Sequence, residues 1–253
     1  MTAACALSLT AAACAPRQVL PVSDTDPSPL FRIVHHRRSV LEAGISGILE
    51  MDFARGHRHF RGRAYVISFP DGRFRLEIPG FMGTTYLIMA SDGKELVAYY
   101  PGEGKAYRGD VGSRHIDEHL PFPLPVDAAL VPAFLLGVYP EENGPPEIRA
   151  SLLDSGEKRL NARWEGTKLR FSHLFSRGNR PSLRAIHAFM EEMELEVATE
   201  KTPPYLPLGF TLTLPDTRLK GEWEKVSLYQ GESSALKLKI PDSVAVTDLE
   251  GPP

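Results

Sequence analysis

Cysteine is nearly missing from this 253-residue chain: there are two, Cys5 and Cys14, and none follows position 14. A disulfide framework is thereby excluded for the bulk of the chain, which is long enough to rely on an apolar core. Charge of one sign is not in excess either. Lys and Arg number 29 against 32 Asp and Glu, a net −3, and the two signs are mixed along the chain, so there is no electrostatic footprint for a nucleic-acid backbone. The uncharged run from Thr2 to Pro16 is shorter than the roughly twenty residues of a membrane-spanning helix. A P-loop, a dinucleotide-binding glycine fingerprint and an HExxH pair are all absent, and Gly44-Ile45-Ser46-Gly47 does not satisfy G-x-S-x-G. Neighbouring acids such as Glu141-Glu142 and Glu191-Glu192 would point to opposite faces of a strand and form no catalytic dyad. His57 and His59 have HxH spacing, but Arg55, Arg58 and Arg61 around them would repel a cation. The expectation is a protein without enzymatic activity, metal or cofactor.

The chain starts with small apolar residues, ending in Leu9-Thr10-Ala11-Ala12-Ala13 before Cys14. This resembles a bacterial lipobox, so residues 1–13 read as a truncated lipoprotein signal peptide, with a basic region expected upstream. Cys14 is the expected lipid-attachment residue; two acyl chains there would anchor the protein stably to a membrane. The bland alternative is a short N-terminal segment with incidental cysteines. Residues 14–29 include QVLPVSDTDPSP, a Pro/Ser/Asp-rich stretch that reads as a flexible tether.

A helix is expected next, with Ser28 as cap and Pro29 in its first turn. Leu30, Ile33, Val34, Val40 and Leu41 fall on one side of it, His35, His36, Arg37 and Arg38 on the other, and Gly44 ends it. From there the period changes to two. Leu49, Met51 and Phe53 alternate with Glu50 and Asp52, and Phe74, Leu76 and Ile78 with Arg73, Arg75 and Glu77. Pro70-Asp71-Gly72 and Ser91-Asp92-Gly93 mark tight turns, so about six antiparallel strands follow one another. The stretch PFPLPVDAALVPAFLLGVYP then reads as a short buried helix in which Val131, Phe134, Leu135 and Val138 keep helical spacing. Strands resume through TKLRFSHLF, MELEVAT and LGFTLTL to LKLKI, and residues 241–253 read as an extended tail. The expected fold is mainly β: a single large curved antiparallel sheet, or incomplete β-barrel, of about eleven strands over residues 30–240, with one or two helices as lid or plug. Such a sheet has a concave face too wide for its helices to fill. Leu49, Met51, Phe53, Phe74, Leu76, Ile78, Val131, Phe134, Leu135, Phe210 and Leu212 are its candidate cavity lining, suited to an acyl chain. The alternative is an interior packed solid by its own side chains.

ISGILEMDF, PDGRFRLEIPG, SDGKELVAYYP and AYRG, between Ile45 and Gly109, resemble the LolA/LolB-like lipoprotein carriers. Ser91-Asp92-Gly93-Lys94, Leu96, Tyr99 or Tyr100, and Pro101 carry much of the likeness, and LPVDAALVPAFLLG resembles the family's inner helix. Both tryptophans, Trp164 and Trp223, lie late in the chain, where the family pattern expects early ones. The resemblance implies an incomplete barrel that shelters the acyl chains of lipoproteins and helps to localise lipoproteins, or a related lipid, to the outer membrane. It also implies a lipid-anchored, periplasm-facing location consistent with Cys14, and delivery of cargo by a periplasmic LolA-like carrier. Phe81 and Met82, in Pro79-Gly80-Phe81-Met82-Gly83, correspond to the family's protruding apolar loop and are the candidate membrane or cargo contact. The competing expectation is a structural or interaction lipoprotein of the outer membrane with a filled barrel and no cargo.

Overall fold

Strand β2 (Ile45–Arg55) starts where Gly44, at φ 78°, turns the chain out of the preceding helix. The computed structural model describes residues 21–111, 131–138, 146–163, 170–190 and 193–249. Before β2 come β1 (Pro21–Thr25) and α1 (Ser28–Leu41). After it run β3 (Arg58–Ser68), β4 (Arg73–Pro79), β5 (Thr85–Asp92), β6 (Glu95–Tyr100) and β7 (Lys105–Asp110), then the short helix α2 (Val131–Leu136). The second half holds β8 (Glu147–Leu153), β9 (Lys158–Arg163), β10 (Arg170–Phe175), β11 (Leu183–Met190), β12 (Met193–Thr199), β13 (Pro207–Leu214), β14 (Thr217–Leu228) and β15 (Ala245–Leu249).

All fifteen strands of the described residues belong to one sheet, in the order β1-β8-β9-β10-β11-β12-β13-β14-β2-β3-β4-β5-β6-β7-β15. Two antiparallel meanders, β2 to β7 and β8 to β14, are joined through the long β14–β2 pair, and β1 and β15 form the two edges. The sheet is therefore open, mainly antiparallel and larger than the eleven strands expected. Three local readings are corrected. Residues 21–25 are not tether but pair with β8, because any extended backbone can complete a free sheet edge whatever its side chains. LKLKI is not a strand: Leu236 ends a 3-10 turn (Ser233–Leu236) and residues 237–240 join no ladder, while the Arg75 guanidinium takes the carbonyl of Lys237. The segment read as a tail contains β15, which returns to β7 in parallel.

The register explains the core. Ile148, Ala162, Phe171, Ala188, Leu195, Leu212, Leu219, Phe53 and Phe60 are successive cross-strand neighbours from β8 to β3, an unbroken apolar row that crosses the junction of the meanders. One face of the sheet is thus largely apolar, and its buried apolar side chains form a single large cluster with Leu30 and Val34 of α1 and Val131 and Leu135 of α2. At the N-terminus of α1 the carboxylate of Asp26, not Ser28, supplies the acceptor: it takes bonds from the Ser28 N–H at 2.9 Å and hydroxyl at 2.7 Å.

Gly47 marks a point of close approach. A Cβ there would collide with the carbonyl of Lys225, beside the irregularity in register between Trp223 and Lys225. Gly47→Ala is expected to destabilise the fold by about 2 kcal/mol, because backbone rather than a flexible side chain has to move. Urea denaturation would measure it, and an unchanged midpoint would show that β14 gives way freely.

Candidate functional site

The apolar core contains ten of the eleven side chains expected to line a cavity. Leu49, Met51, Phe53, Phe74, Leu76, Ile78, Val131, Leu135, Phe210 and Leu212 are all buried and belong to the one large cluster. Phe134 lies in α2, and its side chain falls outside the described residues. The helix packs against β12, β13 and β3, so it lies over the seam of the two meanders. Leu136 at its end and Val138 just beyond it form a smaller cluster with Leu41 and Ile45. The expected lining residues are thus brought together, and here they pack against one another out of contact with water.

Phe81 and Met82 have the opposite environment. They are 86% and 87% exposed at the tip of the β4–β5 hairpin, in a single 3-10 turn. The tip satisfies its own backbone. The Gly80 N–H donates to the Thr84 carbonyl at 2.7 Å, and the Thr84 hydroxyl donates to the Phe81 carbonyl at 2.8 Å. Met82 adopts the left-handed conformation at φ 58°, which costs a side-chain-bearing residue about 1 kcal/mol or more. Both apolar side chains are consequently held outward. At the base of the tip, half-exposed Tyr86 meets Tyr100 edge to face at 5.9 Å, and Tyr100 meets Tyr107 likewise at 6.1 Å.

Polar groups interrupt the apolar interior, Arg37 and His173 among them. Arg37 of α1 is 2% exposed and donates to three carbonyls: from Nε to Tyr205 at 3.0 Å, from Nη1 to Gly137 at 2.8 Å, and from Nη2 to Leu136. It therefore ties α1 both to the end of α2 and to the β12–β13 connection. Burial lowers the pKa of its guanidinium to about 9. His173 of β10 is 1% exposed, and its Nδ1 is buried without a partner. It sits in a second cross-strand row, Ala150, Leu160, His173, Ile186, Val197, Phe210, Gly221, Met51 and Gly62. Burial first, and then the positive charge of Arg37, push its pKa down to about 3, so the ring is neutral near pH 7. Among the described residues no group of three His, Cys, Asp or Glu side chains could hold a metal ion, and no helix is long and apolar enough to cross a membrane.

This arrangement of an open sheet, an apolar concave face and a helix lying on it has relatives among solved structures. A LolA superfamily protein from Nitrosomonas europaea matches with a TM-score of 0.51 at 10% identity, over 82% of this chain and 97% of that one. A domain named for outer-membrane lipoprotein sorting, from Vibrio parahaemolyticus, matches with a TM-score of 0.52 at 11% identity, over 81% of this chain and 94% of that one. The chain shares its fold with these LolA-type structures. No protein-family model matches the sequence, and a search of curated proteins finds no match.

Within this LolA-type fold, sequence reasoning missed Arg37 and His173. Arg37 was assigned to the polar side of α1, yet the buried residues are Leu30, Val34, Arg37, Arg38 and Leu41. Their spacing of four, three, one and three is itself an inward helical stripe, so the signal was present and residue type overrode it. His173 was also legible: in Phe171-Ser172-His173-Leu174-Phe175 a period of two puts it on the face of two buried phenylalanines. Cys14 lies outside the described residues.

Proposed function

We propose that this protein is a lipid-anchored envelope protein that shelters acyl chains against the concave face of its sheet and assists the localisation of lipoproteins, or of a related lipid, to the outer membrane. Cys14 carries the anchor in this reading, and the folded part faces the periplasm. A periplasmic carrier of the same fold would supply the cargo. The observation that carries the reading is the largely apolar face running across both meanders of a LolA-type sheet. Each methylene moved from water onto such a face gains about 0.8 kcal/mol, enough to drive transfer without ATP or metal. For a chain to enter, α2 has to separate from β12 and β13, because the lining side chains are already packed. Phe81 and Met82 would then touch the bilayer during release, since two exposed apolar side chains side by side gain by leaving water.

The competing reading, an interaction lipoprotein with a filled interior, is favoured by the same ten side chains being buried. Native mass spectrometry of the purified chain, with uptake of a fluorescent palmitoylated peptide and its transfer to liposomes, separates the two. Bound lipid or saturable uptake is expected, and Phe81→Glu with Met82→Glu should slow transfer about tenfold while leaving uptake unchanged. Absence of both bound lipid and uptake would establish the filled interior; transfer unaffected by the double substitution would remove the role of the tip.

A further inference from the structure

The outward face of β14, β2, β3 and β4 is largely covered by ion pairs. Arg63 reaches both Glu50 and Glu224, Arg61 reaches Glu50, and His59 contacts Asp52 at 2.9 Å. A groove of about 760 Å³ interrupts this lattice. Its floor follows from the register. Lys225, Ile48, Tyr65 and Glu77 form one cross-strand row, and Ser227, Ser46, Ile67 and Arg75 form the next. Its far wall is the 3-10 turn Ser233–Leu236 and Lys237, held over β4 by Arg75, whose Nη1 donates to the carbonyls of Ala235 at 3.2 Å and Lys237 at 3.4 Å.

The chemistry of the groove is uneven along its length. Arg75 is neutralised by Glu77, its neighbour on the same face. Lys225 at one end and Lys237 at the other have no ionic partner among the described residues. Between them lie Ile48, Ile67 and Tyr65, and Tyr65 is 55% exposed. Lys225 stands on β14 and Lys237 over β4, three strand spacings away, or about 14 Å at about 4.8 Å each. An extended peptide covers that distance in about four residues, and its side chains at i, i+2 and i+4 point the same way.

We propose that this groove is a binding site for an extended acidic peptide of the pattern acid-x-apolar-x-acid. The two carboxylates meet Lys225 and Lys237, and the central apolar side chain covers Ile48, Ile67 and the ring of Tyr65. The serines at 46 and 227 supply hydroxyls to the peptide's polar positions. This surface is on the other face of the sheet from the apolar interior, so a peptide could bind whether or not the interior is occupied. The partner is therefore a protein segment that reads the outside of the sheet rather than the acyl cargo.

The test is selection of a displayed random heptapeptide library on the immobilised full chain, with counter-selection on the Lys225→Glu, Lys237→Glu variant. Both lysines are exposed, so the variant should melt with the parent chain. Enrichment of sequences with acids four positions apart around an apolar residue is expected. A synthetic peptide from that pool should bind about tenfold more weakly to the double variant and to Tyr65→Ala, and more weakly as salt rises. Equal recovery on parent and variant, or enriched peptides without the paired acids, would overturn the proposal. So would binding of phosphatidylglycerol vesicles that depends on the two lysines while no peptide is enriched, because the groove would then face a membrane.

Discussion

Arg37→Met is expected to lower the stability of the fold by about 2–3 kcal/mol. Two effects oppose each other. Methionine keeps the apolar stem and removes a buried cation whose desolvation costs several kcal/mol. It also leaves the carbonyls of Leu136, Gly137 and Tyr205 without their donor, at about 1–3 kcal/mol each. The second effect should win, because three acceptors are orphaned together and guanidinium is the more weakly hydrated of the basic head groups. For a chain of this length the loss corresponds to a fall in Tm of roughly 4–12 °C. Amide hydrogen exchange should rise over residues 131–138, since Arg37 bonds the end of α2. Arg37→Lys should not rescue, as a point-like ammonium cannot match the fork that reaches three separate carbonyls. A Tm within a degree of the parent would mean that these carbonyls find other donors.

The second large effect is on pH dependence. His173 has a folded-state pKa of about 3 against an ordinary value of 6.5. Between these values the unfolded chain binds a proton that the folded chain refuses, so stability is fully present above about pH 6.5 and declines as the pH falls. At about 1.4 kcal/mol per pH unit, the loss between pH 7.5 and pH 4.5 is about 2–3 kcal/mol. That window stays above the range in which Asp92 takes up its proton, since bonds from the Glu95 and Lys94 N–H groups hold that carboxyl below its usual value. His173→Leu should flatten the dependence over this window. At pH 7.5 it should cost about 1 kcal/mol, because the ring gives up its hydrogen bond to the Leu160 backbone while the unpartnered Nδ1 loses nothing. Urea midpoints measured at pH 7.5, 6.0 and 4.5 would decide the matter, and a parallel decline of parent and variant would show that other groups govern the acid response.

How much of this was legible in the sequence differs from element to element. Leu49, Met51 and Phe53, or Phe74, Leu76 and Ile78, announce their inward face by alternation alone, because a strand turns every second side chain to the same side. Short turns such as Pro70-Asp71-Gly72 fix the antiparallel order of the first meander in the same local way. Strand β1 was not legible, because pairing at a sheet edge uses backbone groups that every residue carries, and Pro21–Thr25 has the composition of a linker. The parallel β15 was hidden for a related reason: its position depends on a chain path across β4 and β5 that Arg75 secures from another strand.

Period and adjacent residues alone specify a mainly β chain with one apolar face, a short inner helix and an apolar pair at a hairpin tip. The tertiary structure decided which meander meets which, through the β14–β2 junction. It also decided that Arg37 bonds three carbonyls, two beside α2 and one at Tyr205. It alone set Lys225 and Lys237 at the two ends of one groove. These are encounters that no local pattern announces, and only the register of the assembled sheet and the burial it enforces select them.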